Sequence, residues 1–294
     1  MQNRISLRHA DEFSANHNIQ ELHAAGTLWQ AIRHEVKLRA DFEPIMSTFF
    51  HGSILNHETI EGALSFILAS KLDSPVVSSM AIREIIEQAY ASDPSIIHAA
   101  EIDIKATRER DPACNSFSTP FLFYKGFHAL QAQRVAHWLW HNERHSLAFY
   151  FQSQMNMLFG VDIHPAATLG CGLMFDHATG IVIGETAHVE DDVSFFHGVT
   201  LGGTGDERGD RHPKIGRNVL LGANATLLGN IHIGEGSKIV LMGDTDQIDT
   251  PYIDKRSNGL SITIEKFARS ELSGHVYLER GERSALATYA SKVL

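Results

Sequence analysis

Residues 161–203 read VDIHPAATLGCGLMFDHATGIVIGETAHVEDDVSFFHGVTLGG, and within them Ile163, Leu169, Phe175, Ile181, Ala187, Val193 and Val199 stand six residues apart. After an intervening loop the spacing resumes at Ile215, Leu221, Leu227, Ile233 and Ile239. A period of six fits neither an α-helix nor simple strand alternation carried over such a length. It fits short strands stacked as the flat sides of a triangular coil, three hexads to a turn. Glycines close behind these positions (Gly170, Gly172, Gly184, Gly216, Gly222, Gly234 and Gly236) mark corners that need left-handed backbone or close backbone approach. The expected fold class is α+β, an N-terminal all-helical region followed by a left-handed parallel β-helix of hexapeptide repeats.

Upstream of the hexads the pattern is helical. Ile82, Ile85, Ile86 and Ala89 recur at helix spacing, and Ala129, Ala132, Ala136 and Leu139 form a narrow small-residue stripe suited to close helix contact. Helix starts are marked by Thr27 with Gln30 in capping-box form, and by Asp93 and Thr119, each ahead of a proline. The expected organisation is a loose N-terminal arm over 1–26, a helical region over 27–160, the hexad region over 161–243 and a tail over 244–294.

Composition narrows the function classes. The 294 residues are 43% hydrophobic and carry a formal charge of -10, which suits a soluble globular protein and argues against nucleic acid as a partner. No apolar run reaches membrane-spanning length, so no membrane association is expected. Cys114 and Cys171 are the only cysteines; two thiols make neither a disulfide framework nor a zinc site, and a cytoplasmic location follows as the expectation. Eighteen histidines are present. Of these, His128, His137, His141 and His145 suggest a helix face, but Trp138 and Trp140 beside them read as packing, and no metal is expected.

A denser constellation lies inside the hexads: Asp162-Ile-His164-Pro, Asp176-His177-Ala-Thr-Gly180 and Gly184-Glu185, then DRHPKIG in the loop that breaks the period. With SSPVVSSMAIREIIEQAY and RERDPACNSFSTPFLFYKGFHALQAQRVAHWLW upstream, this run resembles the serine O-acetyltransferases over roughly residues 28 to 240. The resemblance implies acetyl transfer from acetyl-CoA, a co-substrate and not a resident cofactor, to the L-serine hydroxyl in cysteine biosynthesis. It also implies a trimer or a pair of trimers joined through the helical regions, and feedback inhibition by L-cysteine.

The chemistry asks for a base that removes the hydroxyl proton during attack on a thioester, and for a carboxylate that steadies the resulting imidazolium. His177 and Asp162, fifteen residues apart and so placed on adjacent turns of an eighteen-residue coil, are the expected catalytic pair. The resemblance assigns Asp111 and Asp176 to the serine ammonium and Arg211 and His212 to its carboxylate, and the charge types agree. Glu185 is a further substrate-site candidate that a corner-capping role would explain equally well. The resemblance implies that acetyl-CoA lies along a groove between two β-helices, and Gly202, Gly203, Gly222 and Ala223 are the candidates for main-chain contact with it there.

After Lys238-Ile239 the chain departs from the family pattern: Thr245 and Pro251 fall where further hexads are expected, with possible short helices at 265–272 and 284–294. The departure leaves two function classes, an active serine O-acetyltransferase and a catalytically impaired remnant that binds serine or cysteine. A hexapeptide acetyltransferase for another small acceptor is a third reading. The family's partner cysteine synthase takes a terminal isoleucine, and with Leu294 at the end of this sequence weak or absent complex formation is expected.

Overall fold

In a computed structural model the described residues are 27–204 and 208–234. The expected arm over 1–26, the hexad position Ile239 and the tail over 244–294, with its two possible helices and Leu294, lie outside them. Helices occupy the first part: α1 (Leu28–Phe42), α2 (Ser47–Phe50), α3 (Ile60–Leu72), α4 (Ser79–Ser92), α5 (Ser95–Arg110), α6 (Ser118–Phe123), α7 (Lys125–His141) and α8 (His145–Phe159). Short 3-10 and π-helical turns flank α2.

Local side chains account for four of these eight helix starts. Thr27 Oγ1 accepts the Gln30 N–H, Thr59 Oγ1 that of Gly62, Ser78 Oγ that of Ala81, and Asp93 Oδ1 that of Ser95. Thr119 departs from its expected role, because α6 begins at Ser118, two residues ahead of Pro120, and a distant group caps it. The buried Glu35 carboxylate, from α1, accepts the Phe117 and Ser118 N–H groups at 3.2 and 2.8 Å. Thr119 instead meets Arg39 at 2.8 Å. The periodic faces pack as read: Ile82, Ile86, Ala89, Ala129, Ala132, Ala136 and Leu139 are fully buried, and Ile85 packs against the same core.

Gly160, with φ 65, ends α8 and donates its N–H to Asn156 O. The β-helix starts at the next residue. Its strands are β1 (Val161–Ile163), β2 (Thr168–Leu169), β3 (Met174–Phe175), β4 (Ile181–Ile183), β5 (His188–Val189), β6 (Ser194–Phe195), β7 (Thr200–Gly202), β8 (Lys214–Ile215), β9 (Leu220–Leu221), β10 (Thr226–Leu228) and β11 (His232–Ile233). They form three parallel sheets, β1-β4-β7-β10, β2-β5-β8-β11 and β3-β6-β9, the three flat faces of the left-handed coil. Inward side chains stack rung on rung: Ile163, Ile183, Leu201 and Leu227 on one face, Leu169, Val189, Ile215 and Ile233 on the second, Phe175, Phe195 and Leu221 on the third.

These ladders correct the reading frame of the hexads. Val182 pairs with Thr200, eighteen residues on, but Val161 pairs with Ile181, so the first coil is two residues longer than three hexads. The equivalents of Ile163, Leu169 and Phe175 are therefore Ile183, Val189 and Phe195, not Ile181, Ala187 and Val193. Both sets point inward, because alternate residues of a short strand face the same side, and a series that slips from one set to the other still shows a period of six. The two extra residues fall in the corner between β3 and β4, which is DHATG.

Corner glycines are only part of the corner chemistry. His177, Ala178, Asp192, Asn218 and Asn224 also take positive φ. Gly222 does not, and a Cβ there would meet nothing within 4 Å, so neither backbone strain nor close approach explains that glycine.

Candidate active site

The candidate residues gather in two groups. The first surrounds the DHATG corner. Phe175 ends β3, Asp176 donates its N–H to Phe195 O, and His177 and Ala178 follow at φ 55 and 60. Such backbone is costly for a residue with a side chain, and it persists where the surroundings fix it. Here the start of α7 does so. A Cβ on Gly126 would lie 2.2 Å from Phe175 O and 3.1 Å from the Ala178 Cβ, so only glycine lets the helix sit this close. Lys125 Nζ also donates to Thr179 Oγ1.

The corner turns the His177 ring outward. Its side chain is 76% exposed, with Asp176 Oδ2 at 3.9 Å and the His197 ring centroid at 6.1 Å. Asp111 follows α5 directly, on the helical side, and reaches the start of α7 through Tyr124. Its Oδ1 accepts the Ala113 N–H at 2.8 Å, and its Oδ2 accepts the Tyr124 hydroxyl at 3.1 Å.

The second group forms where β1, β4 and β7 end. Arg211 Nη2 meets Glu185 Oε2 at 2.7 Å, and this hydrogen bond holds the Glu185 carboxyl below its ordinary range. Glu185 thus orients the guanidinium. His212 is buried, and its ring lies against Gly184, where a Cβ would come within 2.0 Å of Nε2. Thr186 holds that ring: its N–H donates to His212 Nδ1 at 3.2 Å, its hydroxyl lies 2.9 Å from the same atom, and Oγ1 accepts the Arg211 and His212 N–H groups. With Nδ1 accepting, the proton sits on Nε2. Burial first, then the Arg211 charge, pushes the His212 pKa down, so the ring is a neutral N–H donor near pH 7.

His164 has the same form. Its Nδ1 accepts the Ala166 N–H at 3.1 Å, the Trp140 and Phe149 rings meet it edge-on, and burial lowers its pKa. Asp162 stands on β1 with its Oδ1 bound by Gln152 Nε2 at 2.7 Å.

Among the described residues no hydrogen bond or ion pair joins the two groups, and Asp162 and His177 are not paired within one chain. Gly203 belongs with the second group, since a Cβ on it would meet Arg211 and His212 at 3.3 Å. Gly202 lies on β7 under Leu228, while Gly222 and Ala223 are exposed on the coil above. Thr186, Tyr124 and Arg110 have structural parts here that sequence reasoning missed. Only Arg110 carried a signal, its place in the RDP segment beside Asp111. His137 and His128 bond to the Pro165 and Phe121 carbonyls, and among the described residues no set of three or more His, Cys, Asp or Glu is placed to hold a metal.

Comparison with known proteins gives the chain a family. Residues 28–132 match the model for the serine acetyltransferase N-terminal region, and residues 212–240 match that for bacterial transferase hexapeptide repeats. The serine acetyltransferase of Haemophilus influenzae is 56% identical over 212 residues, covering 72% of this chain and 79% of its own. The solved serine acetyltransferase of Neisseria gonorrhoeae is 52% identical with a TM-score of 0.71, over 72% of this chain and 85% of that one. A serine acetyltransferase structure in complex with cysteine matches at 56% identity and TM-score 0.70, over 70% of this chain and 80% of that one. Another, in complex with CoA, matches at 55% identity and TM-score 0.68, over 70% of this chain and 86% of that one. The chain belongs to the serine acetyltransferase family.

Proposed function

We propose that this chain is a serine O-acetyltransferase that moves the acetyl group of acetyl-CoA to the L-serine hydroxyl, giving O-acetyl-L-serine for cysteine biosynthesis. His177 carries the reading. It is a histidine on left-handed backbone, in a two-residue insertion braced by α7, with its ring exposed. A base offered to a substrate explains that expense; a packed histidine would not need it.

In the proposed reaction the serine oxygen attacks the thioester carbonyl as His177 takes its proton, and the C–S bond then breaks. The imidazolium returns the proton to the departing CoA thiolate. Asp162 is assigned to the imidazolium. In the isolated chain that carboxylate is held by Gln152, so the pair is completed only in the loaded site, where catalytic hydrogen bonds commonly tighten. Asp111 and Asp176 receive the ammonium, Arg211 and the neutral His212 N–H receive the carboxylate, and Glu185 orients Arg211. Gly202, Gly203, Gly222 and Ala223 are assigned to acetyl-CoA. L-cysteine, which keeps both charged groups and differs only at the reacting atom, competes in the same pocket.

The two groups are separate in one chain, which supports a site completed between chains. In this reading the DHATG group of one subunit faces the Arg211 and His212 group of its neighbour, within a trimer or a pair of trimers. No described helix is long and apolar enough to cross a membrane. With Cys114 and Cys171 both free, the assigned compartment is the cytoplasm.

Free thiol release from acetyl-CoA, measured with serine, homoserine and no acceptor, tests the assignment. Serine should be the preferred acceptor, and His177→Ala should cut turnover by about 10²- to 10⁴-fold. Faster release with homoserine, or near-normal turnover in folded His177→Ala, would refute it.

A further inference from the structure

The ammonium pocket proposed above takes one carboxylate from each part of the chain, Asp111 from the end of α5 and Asp176 from the end of β3. Their separation depends on whatever fixes the end of that helix to the coil. Arg110, the last residue of α5, does so with both terminal nitrogens. Its Nη1 donates to Gly172 O at 2.9 Å and Asp192 O at 3.1 Å, with Ser194 Oγ at 3.4 Å, and its Nη2 donates to Asp192 Oδ1 at 2.9 Å. Gly172 lies just before β3, and Asp192 just before β6, the strand stacked on β3. One guanidinium therefore ties the helix end to two successive coils.

The corner is shaped to receive it. Gly172 and Asp192 take φ of 70 and 63, and a Cβ on Gly172 would fall 2.4 Å from Asp192 Oδ1. The missing side chain is the space in which the Asp192 carboxylate lies while Arg110 binds it. A planar fork with several fixed donors suits a carboxylate and two carbonyls at once; an ammonium would not reach all three.

From these contacts we infer that Arg110 is a positioning residue for the acceptor site, holding Asp111 at the distance from Asp176 at which both carboxylates share one ammonium group. The inference rests on the assignment of those two carboxylates to serine. Both terminal nitrogens of Arg110 are taken up by the coil, so its part is to position and not to bind. The Arg110–Asp192 pair is partly solvated, so its contribution to stability is modest. Its effect on geometry is not, because a displacement of about 1 Å in a binding constellation costs up to roughly 10²-fold.

The test uses the full chain and compares Arg110→Gln, Arg110→Lys, Asp192→Asn and Asp111→Asn. Serine KM, acetyl-CoA KM, kcat, cysteine Kd by calorimetry and the thermal midpoint are read for each. Arg110→Gln should raise serine KM and cysteine Kd together by about tenfold and leave acetyl-CoA KM within about twofold. Arg110→Lys should recover the thermal midpoint but not serine affinity. Asp192→Asn, which keeps volume and weakens the clamp, should shift serine KM in the same direction by about threefold, and it decides the matter if the Arg110 variants do not fold. A lower thermal midpoint with unchanged serine KM and cysteine Kd would overturn the inference, as would equal losses for serine and acetyl-CoA. If Asp111→Asn leaves serine and cysteine affinity unchanged, the assignment beneath it fails instead. If Asp111→Asn weakens both while the other variants do not, only the positioning inference falls.

Discussion

Gly184→Ala adds one methyl group at the floor of the second group of site residues. The new Cβ would lie 2.0 Å from both Cδ2 and Nε2 of His212. Carbon contacts settle near 3.5–4.0 Å, so the ring must withdraw by roughly 1.5 Å. It is not free to do so, because Nδ1 is held by the Thr186 N–H and hydroxyl at 3.2 and 2.9 Å and the ring is buried. Withdrawal breaks those two bonds at about 1 kcal/mol each, and it carries the Nε2–H away from the place proposed for the serine carboxylate. Serine KM and cysteine Kd should therefore rise together by about 10- to 100-fold, a cost of about 1.4 to 2.8 kcal/mol. Acetyl-CoA KM should stay within about twofold. Steady-state thiol release and calorimetric cysteine titration measure these quantities. Repeating the substitution in a His212→Ala background removes the atom that is struck, and there the methyl should change serine KM by less than about twofold. An equal penalty in both backgrounds, or an unaltered serine KM in the single variant, would refute the reasoning.

Two further predictions concern what holds the frame. Asp103, fully buried, pairs with Arg134 at 2.7 Å and accepts the Leu173 N–H at 2.9 Å, joining α5 and α7 to the first coil. Asp103→Ala strands a buried guanidinium and should cost about 3–5 kcal/mol in urea denaturation; a loss under about 1 kcal/mol would show that water rescues it. His128 is buried with its ring bonded to Phe121 O, and burial, helped by the Lys71 charge, holds its pKa down to about 3. Native His128 therefore refuses a proton that the unfolded chain accepts below about pH 6.5, so this stability is present above that pH and is lost as pH falls toward 3. His128→Gln should flatten the decline between pH 7.5 and 5.5 by about 1 kcal/mol, and an identical pH slope in both proteins would contradict the linkage.

Part of this was written in the sequence. The hexads announce a β-helix because strand alternation repeats at every rung, and Thr27 and Asp93 act on amides two or three residues away. The frame slip at DHATG was not legible from the apolar series, since Ile181 and Ile183 both face inward. Glu35 capping α6, Thr186 organising the Arg211 loop and Arg110 clamping Asp192 were hidden for another reason. Each joins residues 25 or more positions apart, through contacts that exist only once the helices lie on the coil. The same limit explains why the candidate residues could be named one by one while their division into two groups could not.

That division supports the central claim of a serine acetyltransferase site shared between neighbouring subunits, and subunit mixing tests it directly. His177→Ala and Arg211→Ala each disable a different group, so either chain alone should be nearly inactive with serine. Unfolded together and refolded at equal ratio, they should regain up to roughly one quarter of wild-type thiol release, the share of subunit boundaries at which two intact groups meet. Mixed oligomers, verified with differently tagged chains, that stay as inactive as either parent would contradict the account.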